Sequence, residues 1–148
     1  MSRRVEIQVG LTVVAAGGVD LIGAVARTFN GTLRLPAGTV SNWRAGSINS
    51  TAVAHLENFG TMNMLGDMDW TANFNNPPNL LNQGRWSKAG GTLESSLAVI
   101  VNNGSEGVLQ VSSGTLSLAH GGFSDGILNV DAGGTLQFSA NGFVFVLA

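Results

Sequence analysis

Gly107-Val108-Leu109-Gln110-Val111 and, seven residues on, Gly114-Thr115-Leu116-Ser117-Leu118 decide the reading of this chain. Each is a glycine followed by alternating residues, apolar at every second position. In an extended strand successive side chains point to opposite faces. Leu109 and Val111 therefore share one face, as do Leu116 and Leu118. Val108 and Gln110 lie on the other. The two strands are too close for anything but a tight bend between them. The Asn-Gly or Asp-Gly signal of a two-residue hairpin is not consistently placed there. The pair reads as two sides of one coil.

The same unit recurs along the chain, as repeat architectures require. Gly126-Ile127-Leu128-Asn129-Val130 leads to Gly134-Thr135-Leu136-Gln137-Phe138. Gly84-Arg85-Trp86-Ser87-Lys88 leads to Gly91-Thr92-Leu93-Glu94-Ser95, and Gly60-Thr61-Met62-Asn63-Met64 to Gly66-Asp67-Met68-Asp69-Trp70. Gly31-Thr32-Leu33-Arg34-Leu35 with Gly38-Thr39-Val40-Ser41-Asn42 is read as the earliest clear pair. Gly142-Phe143-Val144-Phe145-Val146 is read as a last half-pair. Within the pairs starting at 31, 60, 84, 107 and 126 the glycines are 7, 6, 7, 7 and 8 residues apart. From pair to pair the interval drifts over 29, 24, 23 and 19 residues. A fixed short spacing and a variable long one imply a rigid two-strand unit joined by a segment that tolerates insertion.

That segment carries a third strand. Leu56 precedes Asn58-Phe59-Gly60, Leu80 and Leu81 precede Asn82-Gln83-Gly84, and Leu97 to Val101 precede Asn102-Asn103-Gly104. Three short strands per turn cannot bury their apolar face alone, but stacked turns can. The expected fold is all-β: a single-stranded right-handed parallel β-helix of about six to seven coils. One domain spans 1–148, with 1–27 an N-terminal coil region and 28–146 the clear repeats. Like residues should stack, with Thr92, Thr115 and Thr135 in one ladder and Asn58 and Asn82 in another. A left-handed β-helix wants a strict six-residue period, which these intervals break. A two-sheet sandwich wants longer hairpin connections.

Composition agrees. Hydrophobic residues make up 44% of the 148, enough for a core, whereas charged residues make up only 11%. Long amphipathic helices need a larger supply of charged and helix-forming residues. Seven Lys and Arg and a net charge of −2 give no basic footprint for nucleic acid. No apolar run is long enough for a membrane-spanning helix. The absence of Cys excludes disulfides and thiolate metal sites. Arg3, Arg4, Leu11 to Val19 and Ala24-Val25-Ala26 suggest a secretory leader. Glu6, Gln8 and Asp20 interrupt it, and residues 5–26 are read instead as the first coils.

The strings FGTMNMLGDMDW (59–70), GSEGVLQVSSGTLSLAHGG (104–122) and DGILNVDAGGTLQFSANG (125–142) resemble passenger repeats of autotransporters and haemagglutinin-like bacterial surface filaments. The resemblance covers roughly residues 28–146. It implies a stalk or adhesive surface, outside the cell or on its face. No outer-membrane barrel is recognisable, so the chain reads as part of a longer solenoid or as a distinct protein built on the same coil.

Parallel β-helices also carry carbohydrate-active enzymes, which makes polar clusters worth weighing. Asp67 and Asp69 fall on one outer face, ~6–7 Å apart by strand rise, a spacing that suits sugar chemistry or a cation. Trp70 and Trp86 fall at inward positions and are read as core. His120, in Ala119-His120-Gly121-Gly122, has no accompanying acidic or basic motif, and no His pair has metal spacing. Neither cofactor nor metal is expected, and the chain is read as no enzyme. The apolar run Phe143, Val144, Phe145, Val146 and Leu147 is the candidate for self-association, because an uncapped solenoid end exposes backbone edges and core. The expected function is a non-catalytic structural or adhesive β-solenoid. Its partner is a second copy or flanking repeats of a longer chain, besides carbohydrate or a host surface. A carbohydrate-active or carbohydrate-binding β-helix is the alternative, and a phage fibre segment the next.

Overall fold

A computed structural model describes residues 6–51, 53–73, 75–139 and 142–148. The first turn is β1 (Glu6–Ile7), β2 (Thr12–Val14) and β3 (Asp20–Leu21). The second is β4 (Arg27–Phe29), β5 (Thr32–Leu35) and β6 (Val40–Trp43); the third is β7 (Ile48–Ser50), β8 (His55–Asn58) and β9 (Thr61–Met64). The fourth is β10 (Trp70–Ala72), β11 (Asn79–Asn82) and β12 (Arg85–Lys88); the fifth is β13 (Glu94–Leu97), β14 (Ile100–Asn103) and β15 (Val108–Val111). The sixth is β16 (Gly114–Leu118), β17 (Gly122–Ser124) and β18 (Ile127–Val130). Strands β19 (Gly134–Phe138) and β20 (Phe145–Leu147) begin a seventh. Every third strand pairs in parallel. Sheet A runs from β1 to β19 and sheet B from β2 to β20, each of seven strands, and sheet C runs from β3 to β18, of six. This is the right-handed β-helix expected, with three strands per turn and no helix among the described residues.

One row of sheet C shows how the turns are spaced. Leu21, Trp43, Met64, Lys88, Val111 and Val130 stand in register, at offsets of 22, 21, 24, 23 and 19 residues. The longest offset contains the six residues between β10 and β11, with Pro77 and Pro78. The insertion thus sits at a corner and leaves the ladders intact.

Inward residues form one continuous axial core. Leu109, Leu116, Val111 and Leu118 are fully buried, as are Trp43, Trp70 and Trp86. Burial of each such side chain contributes on the order of 1.5–3 kcal/mol. The indoles keep their N–H groups bonded inside: Trp43 donates to the Gly46 carbonyl at 2.7 Å and Trp70 to Ser50 Oγ at 2.9 Å. The first three turns are less well filled. Ser41 occupies the row of Met62, Trp86, Leu109 and Leu128. Arg27 occupies the row of Ile48, Trp70 and Leu97, and its guanidinium turns back to the carbonyls of Ile22, Gly23 and Ala45. An apolar cavity of about 60 Å³ remains, lined among others by Leu33, Ile48 and Leu56.

Where sheet B turns into sheet C the chain buries an amide ladder. Asn58 Nδ2 donates to Asn82 Oδ1 at 2.8 Å, Asn82 Nδ2 to Asn103 Oδ1 at 2.8 Å, and Asn103 Nδ2 to Ser124 Oγ at 3.1 Å. The same nitrogens reach the backbone carbonyls of Arg85, Val108 and Ile127. The expected Asn58–Asn82 ladder is therefore real and two rungs longer. Its first acceptor, Asn58 Oδ1, is buried without a hydrogen-bond partner, because Leu35 precedes it in register and cannot donate.

Four readings of the repeat are corrected. First, the pair at Gly31 and Gly38 spans sheets B and C, whereas the later pairs span sheets C and A, so the 29-residue interval mixes two kinds of corner. Second, Val40 points outward and Ser41 and Trp43 inward. A turn closed by Thr39 N–H to the Pro36 carbonyl at 3.2 Å uses one more residue after Gly38, which reverses the alternation. Third, Thr92 is not in the threonine ladder. Glu94 pairs with Thr115, and Thr115 with Thr135. Gly91 adopts φ +77° and the Asp67 carboxylate accepts from the N–H groups of Thr92 and Leu93, so the chain bends there and β13 starts late, leaving Leu93 69% exposed. Fourth, Gly142 precedes a strand whose inward residues are Phe145 and Leu147, in register with Gly122 and Ser124. Val144 and Val146, the apolar positions of the repeat, face out.

Candidate assembly face

Asp67 and Asp69 both lie on the outside, flanking the buried Met68. Their carboxylates are committed to the next turn. Asp69 accepts from Ser96 N–H at 2.8 Å. Asp67 accepts from Lys88 Nζ at 2.8 Å, from Leu93 N–H at 3.1 Å and from Thr92 N–H at 3.3 Å. The hydrogen bond from Lys88 is the main cause that holds the Asp67 carboxyl below its ordinary 3.8, with the two backbone donors adding to it against the cost of desolvation. Lys88 is itself fully buried and also donates to the Gly66 and Gly90 carbonyls. Trp70 and Trp86, the tryptophans closest in sequence, are sealed in the core. No groove combining these carboxylates with exposed indoles is formed. Among the described residues no three His, Asp or Glu side chains gather as a metal ion would need, and no helix is long and apolar enough to cross a membrane.

The other candidate, Phe143 to Leu147, belongs to an uncovered apolar layer of the described strands. Strands β18, β19 and β20 form the last layer, and no described strand pairs with their outer edges. Their inward positions are Leu128 and Val130, Leu136 and Phe138, Phe145 and Leu147. All six are apolar. Leu128, Leu136 and Phe145 still pack against the core. Phe138 and Leu147 are 45% and 61% exposed, while Leu118 and Ser124, their counterparts one turn back, are buried. The Phe138 and Phe145 rings meet at 4.7 Å across the end of the rod. Phe143 leaves the repeat to pack on the His120 ring at 4.6 Å, and Val144 is 74% exposed. The hydrogen bond from Gly122 N–H to the Val144 carbonyl ties this lead-in segment to β17.

Sequence thus located the C-terminal strand of this surface but not the rest of it. Val130 and Phe138 belong to the same face. The signal was present, since both are the last inward residues of their own rows, but it becomes visible only once the rows are aligned. No protein-family model, no curated protein and no solved structure matches the chain.

Proposed function

We propose that this chain is a non-catalytic structural β-solenoid of the bacterial surface type, working outside the cell, that associates through the layer formed by β18, β19 and β20. The observation that supports the reading is the uncovered core at that end: six apolar inward side chains beside three strand edges with open hydrogen-bonding positions. Such a layer is a template for further strands. A further β-solenoid layer, from a second copy or from flanking repeats, supplies both strand partners and an apolar lid. Support for a non-catalytic role comes from Asp67 and Asp69, whose oxygens already serve backbone N–H groups and Lys88.

The test is light scattering across a concentration series on the purified chain and on a Val130→Asp/Leu147→Asp variant. The wild type should associate as concentration rises. The variant should remain monomeric with the same β-sheet circular dichroism, because Val130 and Leu147 are 43% and 61% exposed in the single chain. A wild type that stays monomeric at every concentration overturns the proposal.

A further inference from the structure

The association face has a shape that selects one arrangement of two copies. We propose that two chains join tail to tail about a two-fold axis through the middle of β19, making a closed dimer and not a filament. The inference rests on the reading above, that the last layer is an association face, and adds the identity and orientation of its partner.

Strands β18, β19 and β20 follow one another around the coil, and stacked turns are ~4.8 Å apart, so each strand stands roughly 1.6 Å further along the axis than the one before. The end of the rod is a split ring with a low side at β18 and a high side at β20. A two-fold axis through β19 sets β19 against its copy, β20 against the partner's β18, and β18 against the partner's β20. High meets low and middle meets middle, so all three gaps close together. A two-fold through β18 or β20 would leave one gap open by about a full turn spacing.

The rotation reverses strand direction, so the junction is an antiparallel ladder, in which directly opposed residues point to the same side. Centred on Leu136, the middle residue of β19, the ladder sets Gly134 opposite Phe138 and Thr135 opposite Gln137. The glycine leaves room for the phenylalanine ring, and the polar pair lies outside. Across the other two strands Phe145 and Leu147 meet Val130 and Leu128. The apolar face of each copy then closes over the other.

From Ile127 to Leu147 the sole charged side chain is Asp131, held by Ser112 Oγ at 2.9 Å on the outer surface. Like ends meet without strong repulsion.

The chain has no cysteine, so single replacements report cleanly. In the proposed dimer the two copies of position 136 face each other on the axis, within the Cα separation that a disulfide spans. Under mild oxidation Leu136→Cys should give a linked dimer, and Thr32→Cys, on the outside of β5, should not. Leu136 is partly buried, so an outer pair guards against misfolding. Thr135→Cys and Gln137→Cys should cross-link when mixed and scarcely at all when either is alone. Light scattering should give a mass twice the 15.2 kDa of one chain. A ladder of larger species or a trimer, with no link at position 136, overturns the two-fold dimer while leaving association standing. A monomer at all concentrations overturns both.

Discussion

Lys88 Nζ stands 2.8 Å from Asp67 Oδ1, the lysine fully buried and the carboxylate reaching solvent. In its row Lys88 follows Met64 and precedes Val111, so a cation occupies an apolar position of the core. It is tolerated because three acceptors, the carboxylate and the Gly66 and Gly90 carbonyls, converge where the chain leaves sheet C for sheet A. Removing one partner of a buried pair leaves an uncompensated charge, which is more costly than replacing the pair with apolar groups. Asp67→Ala should destabilise the fold by about 3–5 kcal/mol. Lys88→Met, whose side chain matches the row, should cost no more than about 1.5 kcal/mol. The double variant should resemble Lys88→Met alone. Urea unfolding of the four proteins forms the cycle, and equal losses for the two single variants would contradict this account.

The same pair makes the fold sensitive to acid. Because the Asp67 carboxyl is held below its ordinary value, the unfolded chain takes up that proton first. The stability it contributes is complete above the unfolded value near 3.8 and is lost as pH falls through the folded one. Thermal melting of Lys88→Met should therefore fall less steeply below pH 4 than that of the wild type.

The buried amides should show a gradient set by position. Asn82 has a rung on either side, and its loss strips a partner from Asn58, from Asn103 and from the Val108 carbonyl. Asn58 ends the ladder against Leu35. Each buried polar group left unsatisfied costs about 1–3 kcal/mol. Asn82→Ala should therefore lose at least about 1 kcal/mol more than Asn58→Ala in denaturant unfolding.

These particulars mark what sequence could and could not reveal. Leu109, Val111, Leu116 and Leu118 announce the coil because alternation and burial coincide there without interruption. Val40, Leu93 and Val144 mislead because a glycine motif reports a bend but not how many residues the bend consumes. One extra residue, as in the Pro36–Thr39 turn, sends every following side chain to the other face. Lys88 was legible as an inward position and illegible as a satisfied one, since its partner comes from the preceding turn, 21 residues away. The uncovered apolar layer of β18, β19 and β20 was half legible for the same reason. Phe143 to Leu147 is one apolar run, whereas Val130 and Phe138 join it only through register.

Glycines at stacked corners should be sorted by space and not by backbone angle alone. A Cβ on Gly84 would overlap the Gly60 carbonyl in the turn beneath, and neither backbone can yield without breaking the ladder. Gly17 meets nothing and has no left-handed φ. Gly84→Ala should cost more than about 3 kcal/mol or prevent folding, by analogy with overpacked cores. Gly17→Ala should be neutral or stabilise by up to about 1 kcal/mol through the unfolded chain. Paired thermal melts decide it.

His120 gives the fold a second pH response, from two turns further along the rod. Its ring is buried against Phe143, and burial pushes the imidazole below its ordinary 6.5. The unfolded chain therefore binds the proton more readily than the folded one. Stability is full above the unfolded value, declines as pH falls below 6.5 toward the folded value, and levels off beneath it. Protonation also places a charge under the segment that carries Val144 into β20. Hydrogen exchange should accordingly show Phe145–Leu147 losing protection between pH 7 and pH 5, before the central strands do. In His120→Phe, which retains the ring contact without a titrating group, that early loss should disappear and the decline in melting temperature over the same interval should flatten. Unchanged pH profiles in the variant would show that His120 does not hold this strand.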